Sequence, residues 1–475
     1  MLSHGKRGEK MKLFRRAIVL MLVVILSATP LTVVQAAQNH ESTVEIGALL
    51  GEDVPVVKSS RSVGTEGWNG RRYFKTNGAG KLEALSGWQD IDGKRFYFHP
   101  KNNQAVSGFR TIDGRVYHFE TKAGAGVFGA MALNWKRING KVYHFKGTGK
   151  NVTRGELSVG WKTINKQIYY FSTAKKLGNR GVVQEGWARI NKQRFYFSTS
   201  SKLGKKGVMQ TGWKRLSYVD SAGKTRKGNF YFSNGKGHGN KGRMRTGLIT
   251  VSGRRYYLNN QGVRQADKWI KHNKAWYYLG KNGVASTGWR YIKGLKYYFN
   301  PSSAKLVQDV RNRVNGPYRA TINRRANVVT IYARDGAKGF TIPVKTFTCS
   351  VGKPESPTPT GTFNTMAKYR WKILNGPTWG QYATRIVGGI LFHSVSGPLQ
   401  SVYSVPAGQY NLLGGPASGG CVRLSVIDAK WIYDNCQLGM SVTISDTAFQ
   451  PFDKPRPQRI PASQNWDPTD PAVRR

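Results

Sequence analysis

Cysteine is nearly missing from these 475 residues: Cys349, Cys421 and Cys436 are the only three. So few half-cystines exclude a disulfide-stapled scaffold, and the odd count leaves at least one free thiol or an intermolecular bond. No C-x-x-C pair occurs, and the one nearby histidine, His393, creates no zinc spacing, so neither a metal site nor any other cofactor is expected. Acidic residues are scarce too, with 24 Asp+Glu against 75 Lys+Arg and a net charge of +51. That excess goes far beyond what solubility requires and calls for a polyanionic setting: nucleic acid, anionic lipid or anionic cell-wall polymer.

Long apolar runs are also missing. The best of them, "AIVLMLVVIL", is broken by Ser27, Thr29, Pro30 and Thr32, well short of the ~20 residues a membrane span needs. Six basic residues between Lys6 and Arg16 precede it and a small-residue stretch ending "VQAA" follows. This is the pattern of a secretion signal, residues 1–37, cleaved after Ala36 or Ala37, with residues 38–65 as a linker. Export removes nucleic acid from the expected partners.

What the chain has in abundance is a repeat. Between about Glu66 and Gln308 the unit runs "GW", a short basic stretch, a turn, then an aromatic cluster, as in "GWKTINKQIYYFST" and "GWARINKQRFYFST". About ten copies occur, mostly 20–26 residues apart, with one longer interval around "SYVDSAGKTRKG". Aromatic segments on either side of Asp92-Gly93 or Asn139-Gly140 have the composition of a β-hairpin. One hairpin cannot bury its aromatics alone; a solenoid of stacked copies can, each tryptophan packing against the tyrosines of its neighbour. Residues 66–300 carry 46 Lys+Arg and 10 Asp+Glu, a local net charge of +36. Such an array repels a cation at long range and attracts phosphodiester polymers, held by multivalency.

From about Arg311 to Asp446 the repeat is lost and alternating stretches such as "NVVTIYA" and "GFTIPVKTFTCSVG" read as mostly β. A short helix is expected in "SVIDAKWIYDNC", capped by Ser425. Residues 451–475, rich in proline, read as a disordered tail. Three chemistries are open to Cys421 on residue type alone: nucleophile, disulfide half or inert buried thiol. His393 is the only histidine after His272, and "SGGC" supplies a tight turn with backbone N–H groups for an oxyanion.

Two resemblances sharpen this reading. The repeats resemble the choline- and glucan-binding repeats of exported Gram-positive surface proteins. The segment 318–446 resembles the L,D-transpeptidase catalytic domain through His393 closing "GGILFHS", through Ser418, Gly420, Cys421, Val422 and Arg423, and through "PTPTGTF" and "DAKWIYDN". The resemblance implies a mostly β architecture: a β-hairpin solenoid over 66–308, then a β-rich catalytic domain over 309–450 with a short helix after the cysteine. It also implies acyl transfer on peptidoglycan stem peptides, with Cys421 as nucleophile, His393 as general base and acid, Gly419 and Gly420 at the oxyanion turn, and Ser418, Arg423 and Ser394 in support. Gly419 stands where the family has a histidine, and the 28-residue step from His393 to Cys421 is wider than the common form, which marks an inserted loop. Partners implied are stem peptides, a teichoic-acid-like anionic polymer or choline or glycan on the repeats, and a carbapenem as covalent inhibitor. The expected location is secreted and wall-associated. An L,D-carboxypeptidase, with water as acceptor, and a wall-binding protein with an inactive domain stay open alternatives.

Overall fold

The computed structural model of the chain describes residues 64–122, 128–147, 153–202, 204–237 and 239–474. The expected signal segment, and the expected linker up to residue 63, lie outside the described residues. Among the described residues no helix is long and apolar enough to cross a membrane.

The repeats form as hairpins. Among the described residues one three-stranded unit, Gly67–Asn69, Arg72–Thr76 and Leu82–Ala84, is followed by nine two-stranded hairpins from Gly87–Ile91 with Lys94–Phe98 to Gly288–Ile292 with Leu295–Phe299. Their turns need left-handed backbone at two successive residues, which Asp92-Gly93 and Asn139-Gly140 supply with φ near 48 and 71° and near 47 and 74°. In the second strand the pleat sends alternate residues inward, so that in Gln193–Phe197 both Phe195 and Phe197 are buried. Trp187 meets Tyr196 of its own hairpin at 5.1 Å and Phe230 of the next at 4.9 Å. The neighbour thus supplies phenylalanine to Trp187, while Trp135, Trp213 and Trp269 meet the expected tyrosines of the next hairpin, Tyr169, Tyr256 and Tyr297, at 4.9, 4.9 and 5.1 Å. The longer interval is one longer hairpin, Gly212–Val219 with Thr225–Phe232, whose turn is held by Arg226 on Asp220 at 2.8 Å.

Two compact units divide the chain, residues 1–107 with 120–130, and residues 108–119 with 131–475. Inside the first, Trp68 packs on Phe96 at 5.1 Å, so the N-terminal hairpins share aromatics in the same way. Inside the second, the later hairpins run into a two-sheet domain.

That domain has nine strands, β1 (Tyr318–Asn323), β2 (Val328–Ala333), β3 (Ile342–Thr348), β4 (Gly361–Asn364), β5 (Ala367–Leu374), β6 (Thr378–Val387), β7 (Ile390–Ser394), β8 (Val422–Leu424) and β9 (Ser441–Ser445), with helices α1 (Ala407–Tyr410) and α2 (Val426–Asn435). One sheet has the order β3-β2-β1-β9-β4 and the other β5-β6-β7-β8. Val329, Ile331, Phe347, Phe392, Val422 and Ile432 pack between them as one core. Trp289 and Tyr298 of the last hairpin pack on it as well, and Phe452 joins Tyr297 and Phe299 in that hairpin's own core. The last hairpins and this domain are thus welded: Trp276 Nε1 and Lys271 Nζ both reach Asp453 at 3.0 Å, and Lys296 Nζ reaches Asp335 at 2.8 Å.

The proline-rich segment corrects its sequence reading. Proline and charge lower its capacity for regular structure, yet it is held in place by specific bonds. Val405 N–H donates to Asn465 O at 2.8 Å, Asn411 exchanges two bonds with Ile460, and Asp467 is fully buried. Its order comes from tertiary partners, which local composition does not report.

Candidate active site

β7 and β8 run parallel with His393 opposite Arg423, which puts Cys421, the residue just before β8, alongside β7. Within this arrangement His393 is 1% exposed. Its Nδ1 lies 2.6 Å from Ser394 O, and since a carbonyl only accepts, Nδ1 carries the proton and Nε2 keeps the lone pair. Burial, reinforced by the nearby Arg423 charge and opposed by the Ser394 bond, pulls the imidazole down to about 4, so the ring is neutral at pH 7. The strand behind it is cut to fit: a Cβ on Gly380 of β6 would stand 2.9 Å from His393 Nδ1. Glycine in a strand interior signals such a close approach, and the sequence reading passed over it.

Cys421 is half-buried, whereas Cys349 and Cys436 are buried and all three are free. Burial pushes the Cys349 and Cys436 thiols up to about 12, which leaves them inert. Cys421 is also raised by burial, opposed by the Leu391 N–H and by Arg423. Its Sγ–H points to Gly389 O at 3.4 Å rather than to the imidazole. The resting group is therefore a thiol that needs a base.

The turn before it is built around Ser418, 2% exposed, whose Oγ donates to Cys421 O at 2.5 Å. The same Oγ accepts the Gly420 N–H at 3.2 Å. This corrects the oxyanion expectation at Gly420, because its N–H already has an acceptor. Gly420 is there for another reason: its φ is +114°, and a Cβ would meet Ile390 Cδ1 at 2.9 Å. Gly419 is the opposite case, exposed and with nothing within 4 Å of a built Cβ. Thr358, of "PTPTGTF", donates to Gly420 O at 2.7 Å and accepts Gly352 N–H at 2.8 Å, fixing the turn from below.

Arg423 Nη1 reaches Gln409 Oε1 at 2.9 Å, and its Nε is buried with no acceptor among the described residues. Ser394 accepts the Gln381 N–H at 2.9 Å, and Gln381 Nε2 in turn donates to Asp470 at 2.8 Å. The segment between β7 and β8 carries α1 and is pinned at Trp379 and Gly397. Ser425 holds the cap position of α2, but its hydroxyl donates to Asp428. The capping is done from the C-terminal segment, by Asp467 accepting Val426 N–H at 2.8 Å and Thr469 accepting Ile427 N–H at 3.2 Å. No local pattern marks Asp467, because it acts 41 residues along the chain.

Residues 317–444 match the family model of the L,D-transpeptidase catalytic domain, and five segments between 134 and 302 match that of a cell wall binding repeat. L,D-transpeptidase 1 of Mycobacterium tuberculosis is 29% identical over 115 residues, covering 21% of this chain and 42% of that protein, so the chain spans under half its length. Among solved structures, CbpJ from Streptococcus pneumoniae aligns with TM-score 0.31 and 22% identity over 50% of this chain and 91% of its own. An L,D-transpeptidase from Mycobacterium smegmatis aligns with TM-score 0.22 and 19% identity over 42% and 79%.

Proposed function

We propose that this chain, which carries an L,D-transpeptidase catalytic domain behind cell wall binding repeats, is an exported wall enzyme that cross-links peptidoglycan stem peptides. Its divisions are a signal over 1–37, a linker to 65, repeats over 66–308 and a catalytic domain from 309 that takes in the C-terminal segment. The observation that carries the chemistry is the His393 tautomer: a neutral imidazole with Nδ1–H held on Ser394 O, on the strand β7 alongside which the half-buried Cys421 lies.

Rotation of the Cys421 side chain away from Gly389 O lets its thiol give a proton to His393 Nε2. The sulfur attacks the carbonyl of the third, L-configured residue of a donor stem. As the tetrahedral species collapses, the imidazolium returns the proton to the leaving terminal D-residue, and a thioester to Cys421 remains. The side-chain amine of a second stem then attacks, His393 taking its proton, and Cys421 leaves as the thiol. With the Gly420 N–H engaged, the Cys421 N–H is the oxyanion donor, worth ~3 kcal/mol when aligned. Arg423, whose Nη1 is held on Gln409, offers the remainder of its guanidinium to a stem carboxylate.

The repeats hold the enzyme on the wall through its anionic polymers. Purified protein incubated with a tetrapeptide stem, with and without an acceptor stem, tests the reaction. Release of the terminal D-residue with a dimer formed only when acceptor is present supports transfer. Release without dimer makes the protein an L,D-carboxypeptidase, and no release contradicts the enzymatic reading.

A further inference from the structure

Between the hairpin Gly186–Ile190/Gln193–Phe197 and the segment that leaves the long hairpin lies a cleft of about 370 Å³. Lys192, Arg194, Arg243 and Arg245 line it, and its lining contains no carboxylate. Among the described residues none of the four is ion-paired. The fold brings them together: Met244 N–H donates to Arg194 O at 2.8 Å, so residues 243–245 run along the hairpin edge. Arg243 and Arg245, two apart in extended chain, flank Met244 on one side. Lys192 completes the set from the turn, at φ 64°, a left-handed position that glycine fills in other hairpins without conformational cost.

Four like charges with no counter-charge repel one another until an anion arrives. A cationic ligand is disfavoured here twice, since the Arg194 guanidinium already covers the Trp187 ring at 4.7 Å. Arg95 and Lys296 cover Trp88 and Trp289 in the same manner at 5.1 and 5.6 Å. We infer that this cleft binds a phosphodiester group of an anionic polymer. The inference rests on reading the repeats as wall-binding modules and gives that reading a specific site. Guanidinium groups suit it because they share two donors with one phosphate.

The full-length protein is compared with two variants that each lose four charges. One carries Lys192→Gly, Arg194→Gln, Arg243→Gln and Arg245→Gln; the control carries Lys94→Gln, Lys101→Gln, Lys281→Gln and Lys305→Gln. Binding to poly(glycerol phosphate) and to polyglutamate of matched charge is measured at low salt, beside pelleting with purified walls. The cleft variant is expected to lose roughly tenfold or more in affinity for the polyphosphate, and the control less than about threefold. Equal losses in both variants, or wild-type binding to polyglutamate as tight as to polyphosphate, overturns the cleft assignment while wall pelleting persists. Failure of the wild type to pellet with walls overturns the wall-binding reading itself, and the two failures are thereby told apart.

Discussion

The repeats and the C-terminal domain solve the same problem, burial of a β-rich chain, by opposite routes. Within each compact unit a hairpin finishes its core with the next one: Trp161 touches Tyr170 of its own hairpin and Phe195 of the following one. The C-terminal domain closes over long sequence distances, with β1 pairing β9 in parallel and Asp467 capping α2. Charge follows the same division. The repeats carry a large excess of cations over carboxylates, whereas the domain ties Arg324 to Asp446 and Arg311 and Lys345 to Asp309. An additive array can lose or vary a member; a domain closed by its own C-terminal segment cannot.

The largest effect expected within the domain is on chemistry. His393→Ala slows acylation by about 10²–10⁴-fold, read by single-turnover release of the D-residue at a temperature where the variant is shown to be folded. An unaltered rate removes His393 from the mechanism.

Deletions of similar length then set the two regions against each other. Removing residues 160–185, one whole repeat, leaves turnover of soluble stems intact and weakens wall pelleting. Removing residues 456–475 strips α2 of its cap and the loop before Cys421 of Ile460 and Asn465, and abolishes cooperative folding of the domain. Asp467→Ala alone costs about 1–3 kcal/mol by denaturant titration. A stable, active enzyme without the segment breaks the comparison.

A smaller effect is the pH dependence of stability. His393 sits at about 4 in the fold against an ordinary 6.5, so the unfolded chain binds the proton first. Its contribution is full above about pH 6.5 and falls as pH drops toward about 4, a loss that His393→Gln removes. The smallest is Gly419→His, which enters open space and changes the melting temperature by no more than about 1 °C, as surface substitutions do. A large destabilisation shows that the turn before Cys421 is packed differently.

The repeats were almost fully legible in sequence, because hairpins are local: turn residues, "GW" and alternating aromatics each report on the same few residues. The placement of the candidate pair was legible as well, since Cys421 follows a glycine-rich turn and His393 lies near the end of an apolar strand that pairs with β8. What escaped was everything contributed from a distance. Composition marked residues 451–475 as disordered, though Asp467 and Asp470 are buried by partners around Val426 and Gln381. Ser425 had the identity of a cap but its hydroxyl found Asp428 first. Gly420 suggested an oxyanion donor, and only the position of Ser418 Oγ shows that its N–H is engaged.

The central claim is that Cys421, activated by His393, forms an acyl-enzyme. Incubating the full-length protein with a carbapenem and mapping the adduct by peptide mass tests it most directly. One equivalent on Cys421, absent from Cys421→Ala and slowed in His393→Ala, is the predicted result. An adduct on Cys349 or Cys436, or a folded protein that takes up none, contradicts it.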